Sequence, residues 1–267
     1  MKSGLLLAMM GLAAQAAQTV DAPLPPSGNW TVEYQDNLCT ISRKFGGTEQ
    51  GITLGFQPIP LSGAMLAVLM TPVGPGDKSR SGKLTMTLSP SGATIPASFD
   101  TVVTRDRKQQ ITRFAIRRAQ LPSVETAESI AFSLSKGSSF SIAPTRMAAA
   151  MTALSTCEKD LLRNWGYDLT TLASVVTPAE PLTPFASWVS SIGTASDSEG
   201  QAVMRWLINT KGRAQDCVIV SSSKNADFDR TACALVVKNA RYRPALDKDG
   251  KPVATPGYDR LTLLTDR

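Results

Sequence analysis

The sequence has no histidine. That absence excludes Ser-His-Asp and Cys-His nucleophilic catalysis, because both need an imidazole to take the nucleophile's proton. It also removes a principal zinc ligand, and no C-x-x-C spacing stands in for it, so neither a metal site nor a cofactor is expected. Beyond the amino terminus there is no apolar run near the roughly 18 to 20 residues needed to cross a bilayer, and stretches such as Ala64 to Met70 fall far short. Concentrated positive charge is lacking too. Arg105, Arg107 and Lys108, then Arg117 and Arg118, then Arg241 and Arg243, form small clusters mixed with polar or apolar neighbours. The net charge of +6 therefore reads as a solvated surface attractive to acidic partners, and no nucleic-acid motif accompanies it.

What remains of catalysis is thin. S-x-x-K occurs at Ser133 to Lys136 and at Ser221 to Lys224, but Ser-Lys chemistry needs a serine that opens a helix. Here Ser133 falls in a predicted strand and Ser221 in a predicted turn. Lys78-Ser79 follows Gly74 and Gly76, yet Asp77 stands where a phosphate loop needs glycine. The chain is expected not to be an enzyme, with a Ser-Lys hydrolase as the weakest alternative.

With 42% hydrophobic and 19% charged residues, a chain of 267 can bury a sizeable core, and its length suggests two domains. Lys2, the apolar stretch Leu5 to Ala14, and Ala14-Gln15-Ala16 together predict a signal peptide over residues 1–16, cleaved after Ala16. The other reading, an uncleaved anchor, meets a stretch of only about a dozen apolar residues with no stop-transfer flank. Pro23, Pro25 and Pro26 break the chain immediately afterwards. A periplasmic location is expected, with the cell surface or exterior as alternatives and no integral membrane segment in the mature form.

Export permits disulfides, and four cysteines allow three pairings. One pairing, Cys39 with Cys157 and Cys217 with Cys233, keeps each bond inside a domain. Four reduced core cysteines are the alternative.

From Trp30 to about Ser141 short β-forming runs such as Trp30 to Tyr34, Lys83 to Leu88 and Ile130 to Leu134 alternate with Gly-, Pro- and Ser-containing turns, predicting a sandwich or barrel. A helix follows. Thr145 is its predicted N-cap, Met147, Met151, Leu154, Leu161, Leu162 and Trp165 its apolar face, and Gly166 its stop. Pro178, Pro181 and Pro184 then mark an irregular linker of about 30 Å reach. The expected divisions are a β-rich domain at 22–172 closed by that helix, a linker at 173–186 and a second domain at 187–267, an α+β chain overall.

In the second domain Ala202, Met204, Trp206 and Ile208 alternate along one strand, residues 210–213 turn, and Cys217 and Ile219 return. Asn225 caps a helix with Phe228, Ala232, Cys233, Val236 and Ala240 on one face, which turns Cys233 toward the hairpin. A Gly250 turn leads to a last strand from Tyr258 to Leu264.

These residues resemble the TonB C-terminal domain family. The likeness rests on Gly200 and the alternation to Ile208, on Gly212-Arg213 with Asp216, and on Ser221-Ser222-Ser223, Phe228-Asp229 and Ala232. It ends with Ala240-Arg241-Tyr242-Arg243-Pro244-Ala245 and Gly250-Lys251-Pro252-Val253. It spans residues 200–264, and the cysteine pair resembles a disulfide-bearing branch. The segment from Met147 to Gly166 is similar to one found upstream of such domains in alphaproteobacterial proteins. The resemblance implies a three-stranded antiparallel sheet with helices and a non-catalytic role in the cell envelope. It also implies capture of an envelope protein or extended peptide by strand addition at Tyr258, Asp259, Arg260, Leu261, Thr262 and Leu263. Self-pairing of edge strands into a homo-oligomer is the alternative. Family members that energise outer-membrane transport carry a membrane helix and a long proline-rich spacer, and this chain departs from them on both counts. An edge strand leaves backbone donors and acceptors unpaired, which makes such capture physically reasonable. Asp259 and Arg260 could equally guard a solvent-facing edge against aggregation.

Overall fold

The computed structural model describes residues 22–35, 38–47, 51–60, 62–104, 106–135, 139–188 and 200–263. The expected signal peptide and Lys136 lie outside them. Nine antiparallel strands form one curled sheet: β1 (Thr31–Gln35), β2 (Leu38–Phe45), β3 (Ile52–Pro58), β4 (Ala64–Pro72), β5 (Arg80–Ser89), β6 (Thr94–Val103), β7 (Gln109–Arg117), β8 (Ser129–Leu134) and β9 (Ser139–Ile142). Their order is β1-β2-β3-β4-β7-β6-β5-β8-β9. Two-residue alternation explains the single buried face: Ile41, Leu54, Phe56, Leu84, Met86, Phe114 and Phe132 all turn inward to one core. The proline-rich stretch helps close the sheet. Leu24 pairs with β9 through Ser141 and Ala143, while Pro25 and Ser27 bond to the end of β2.

After the short helix α1 (Leu121–Glu125), the long helix α2 (Met147–Asn164) lays Met147, Met151, Leu154 and Leu161 onto this core. Its N-cap corrects the expectation. Arg146 in a left-handed conformation occupies that position without a side-chain cap. Thr145 is committed elsewhere: its carbonyl accepts from Trp30 Nε1 at 3.0 Å, and its carbonyl and hydroxyl accept from the buried Arg43 guanidinium at 2.6 and 3.1 Å. The other end stops as read, at Gly166 with φ +84°, where a glycine carries no steric penalty. Cys157 bonds to Cys39, stapling α2 to β2. Arg118 donates to buried Glu158 at 2.6 Å on the same helix.

The prolines predict an irregular linker, but the chain there is docked in short ladders. After α3 (Leu169–Ala173), β10 (Val175–Thr177) and β11 (Glu180–Pro181) form, followed by α4 (Phe185–Trp188). Pairing is possible because each ladder is marginal, and proline is tolerated where no strand beyond needs its missing N–H.

The carboxy-terminal unit comprises β12 (Gly200–Ile208), β13 (Ala214–Ser221), α5 (Ala226–Asn239), β14 (Tyr242–Arg243), β15 (Ala245–Asp247), β16 (Pro252–Val253) and β17 (Thr255–Leu263). β10 pairs with β15 and β11 with β14, so the linker is sewn onto this unit. Its principal sheet has the order β13-β12-β17, antiparallel throughout. Ala202, Met204, Trp206 and Ile208 pack against Phe228, Ala232 and Val236 of α5 in a second core. Asn225 caps α5 as read, accepting from the Phe228 N–H at 3.0 Å. Cys217 and Cys233 are bonded, joining sheet to helix. The motif Ser221 to Ser223 with Asp229 also has a physical reason. Burial pulls the Asp229 carboxyl up, but hydrogen bonds from Ser222 and Ser223 outweigh it and hold the group below the usual carboxylate range.

Candidate functional site

β17 begins at Thr255, three residues before the predicted start, and pairs with β12 along its whole length, from Gly200 opposite Leu263 to Ile208 opposite Thr255. Among the described residues no other strand pairs with it, so it is an edge. The Arg260 N–H donates to Asp259 Oδ1 at 2.7 Å and so faces away from β12. Alternation puts the amide positions of 256, 258, 260 and 262 on this outer side. Pro256, which has no N–H to offer, belongs there and is tolerated because the strand is an edge.

The two faces of β17 meet different neighbours. Gly257, Asp259 and Leu261 lie in register with Trp206, Met204 and Ala202, on the α5 side. Gly257 is required there, since a Cβ would fall 2.0 Å from Trp206 Nε1. Tyr258 and Arg260 turn the other way, toward the amino-terminal sheet. Gln57 Nε2 donates to the Tyr258 hydroxyl at 3.0 Å, and Arg260 Nη2 donates to Gln57 Oε1 at 2.8 Å. Trp165, just past the end of α2, stacks on Tyr258 with ring centroids 6.3 Å apart, and the Arg205 guanidinium lies 5.0 Å from the Trp165 ring centre. A solvent-facing edge guarded by Asp259 and Arg260 is therefore not what forms. Tyr258, Asp259 and Arg260 are half-buried and Leu261 is buried. The side chains of Thr262 and Leu263 lie outside the description.

Burial dominates the electrostatics. It raises Asp259 to about 6, against the pull of the Arg260 N–H and charge. It raises the Tyr258 hydroxyl despite Arg260 and Gln57, and raises Tyr242 as well. It lowers Arg260, with Arg113 adding repulsion. Among the described residues Arg205 Nε, Trp206 Nε1, Thr255 Oγ1 and Arg260 Nε, all on β12 or β17, are buried without a hydrogen-bond partner; the Tyr242 hydroxyl is near the indole N–H but off hydrogen-bond geometry. Unmet polar groups concentrated on one strand pair are unusual and call for an explanation.

Two cavities flank the edge. One of about 380 Å³ lies between the linker and β17, walled by Pro60, Pro181, Trp188, Tyr242, Tyr258 and Asp259 among others. The second, of about 240 Å³, lies toward β3 and β7, where Gln57, Asp100, Arg113 and Arg260 line it, and Tyr258 and Asp259 border both cavities. No helix among the described residues is long and apolar enough to cross a membrane. Among those residues no three metal-ligating side chains cluster. Neither S-x-x-K serine opens a helix: Ser133 lies in β8 and Ser221 ends β13.

The sequence pointed to β17 and to all four cysteines. It missed Gln57 and Arg205, which carry no local signal because their partners lie on other elements.

Residues 194–259 match the family model described as Gram-negative bacterial TonB protein C-terminal. The match covers about a quarter of the chain and ends at Asp259, inside β17. The family is non-enzymatic, works through protein interaction at the cell envelope and is typically periplasmic. No curated protein and no solved structure matches the chain.

Proposed function

We propose that this protein, proceeding from its TonB-type carboxy-terminal segment, is a non-catalytic periplasmic interaction protein that captures an extended segment of a partner by strand addition to β17. It is exported by its amino-terminal signal, and its β-rich unit at 22–172 and linker at 173–186 hold the binding unit at 187–267. The observation that carries this reading is the outer backbone of β17. Among the described residues its pairing is confined to β12, and its central outward donor is covered only by the neighbouring Asp259 carboxylate. A partner strand would satisfy that row with little demand on side-chain identity, whereas the side chains of Tyr258 and Arg260 serve to hold the strand in place.

A photo-crosslinking residue at position 262 in intact cells tests this, with position 230 on α5 as control. A discrete crosslinked protein at 262 and none at 230 supports capture at the edge. Equal labelling at both positions contradicts it.

A second reading, self-assembly, draws on the opposite edge. β13 is the other outer strand of the sheet, and its Val218 is 43% exposed. Edge-to-edge pairing of two copies would cover it. Light scattering of the mature chain that shows only monomer at high concentration rules this out.

A further inference from the structure

We propose that the cavity beside β17 receives a basic side chain, lysine or arginine, from the captured strand, with Asp259 as its counter-ion. This rests on strand addition at β17 and adds the chemistry of the partner.

The cavity is about 380 Å³, at the lower end of the range that encloses small ligands. Among the described residues that line it there is no lysine or arginine, although the protein as a whole is positively charged. Asp259 is its one carboxylate. One oxygen of that group accepts from the Arg260 N–H, and the other has no hydrogen bond among the described residues. Asp259 makes no salt bridge there either. The cation next to it in sequence, Arg260, turns to the opposite face and is held by Gln57. Asp259 also borders the second cavity, which Asp100, Arg113 and Arg260 line, but neither arginine forms a salt bridge with it among the described residues. The titratable neighbour on the cavity side is the Tyr242 hydroxyl, whose hold on its proton burial strengthens, whereas the Tyr258 hydroxyl is bonded to Gln57 on the other face.

A half-buried carboxylate without an ion-pair partner is costly, and burial outweighs the more distant Arg260 charge to raise its affinity for a proton. Strand capture makes the situation more acute. A partner carbonyl that accepts from the Arg260 N–H displaces the Asp259 oxygen that holds it, leaving the whole carboxylate in need of a donor. Successive residues of the incoming strand point to opposite faces, so one set enters the cavity. A long basic side chain suits what it meets there: proline and aromatic surface, including Trp188 and Tyr242, for the aliphatic stem, and Asp259 at the edge for the cation. A glutamate in the same place would confront Asp259.

Three blocked heptapeptides, acetyl-TVTKTVT-amide and its glutamine and glutamate counterparts at the central position, test this by titration into the isotope-labelled mature chain at pH 7.5. Binding is read from the amides of residues 258, 260 and 262. The lysine peptide is expected to bind at least tenfold more tightly than the glutamine peptide, with the glutamate peptide weakest, against the protein's own net charge. Asp259→Asn should reduce the lysine preference to less than twofold while binding persists, and lowering the pH through about 6 should erode it in the unmodified chain. Equal affinities for the three peptides, or tightest binding by the glutamate peptide, overturn the counter-ion and leave strand addition standing. Failure of all three to perturb those amides overturns both.

Discussion

Arg260 reaches across the molecule to Gln57, donating from Nη2 to its side-chain oxygen at 2.8 Å over 203 positions of chain. The other end of the same amide donates to the Tyr258 hydroxyl at 3.0 Å. One glutamine in β3 thus grips two alternate residues of the edge strand while making no claim on its backbone. Gln57→Ala should cost roughly 1 to 3 kcal/mol, because the Arg260 guanidinium loses its partner in a half-buried site. Chemical denaturation would give the value. Hydrogen exchange should show faster opening in β17 with β2 and β4 unchanged.

Asp259 makes stability depend on pH. Its folded pKa is raised to about 6 from 3.8, so the native state holds the proton more tightly than the unfolded chain does. Its favourable contribution is present at acid pH and is lost as pH rises from about 4 through 6. Asp259→Asn should therefore change little near pH 4 and stabilise the protein by about 1 to 3 kcal/mol at pH 7.5, read as the difference between thermal unfolding curves at the two pH values.

Gly257→Ala should be severe for its size. The added carbon would fall 2.0 Å from Trp206 Nε1, and Trp206 is buried at the centre of the second core. The indole must move or the two strands must part, at a cost of about 1 to 3 kcal/mol. Near-ultraviolet circular dichroism and tryptophan emission should both change. An unchanged spectrum with unchanged stability contradicts the packing of this edge.

The two disulfides differ in the chain they close. Cys217 and Cys233 are 16 positions apart and Cys39 and Cys157 are 118 apart. On loop entropy, replacing the first pair with alanine should cost about 3 kcal/mol and the second about 5. Urea unfolding of the two double variants, compared with the oxidised chain, checks the order.

Elements set by local chemistry were legible. The alternation at Ala202, Met204, Trp206 and Ile208, the Asn225 cap and the Gly166 stop each carry their own signal within a few residues. The miscapped start of α2 shows the limit: Thr145 is a good cap by type, but Arg43 and Trp30, more than a hundred positions away, take its oxygens. The linker misleads for a related reason. Its prolines forbid long ladders, yet two- and three-residue pairings onto β14 and β15 dock it. At the site, the edge was visible in the order of elements, while the grip of Gln57 and the desolvation of Asp259 arise only when the two cores meet.

The most direct test of capture at β17 compares Arg260→Pro with Arg260→Met for affinity toward the protein crosslinked at position 262. Both lose the guanidinium and its bond to Gln57, but only proline removes the outward N–H, and it does so without touching the ladder to β12. Strand addition predicts binding retained by the methionine variant and reduced at least tenfold by the proline variant. Equal binding by the two would show that the outer backbone of β17 takes no part.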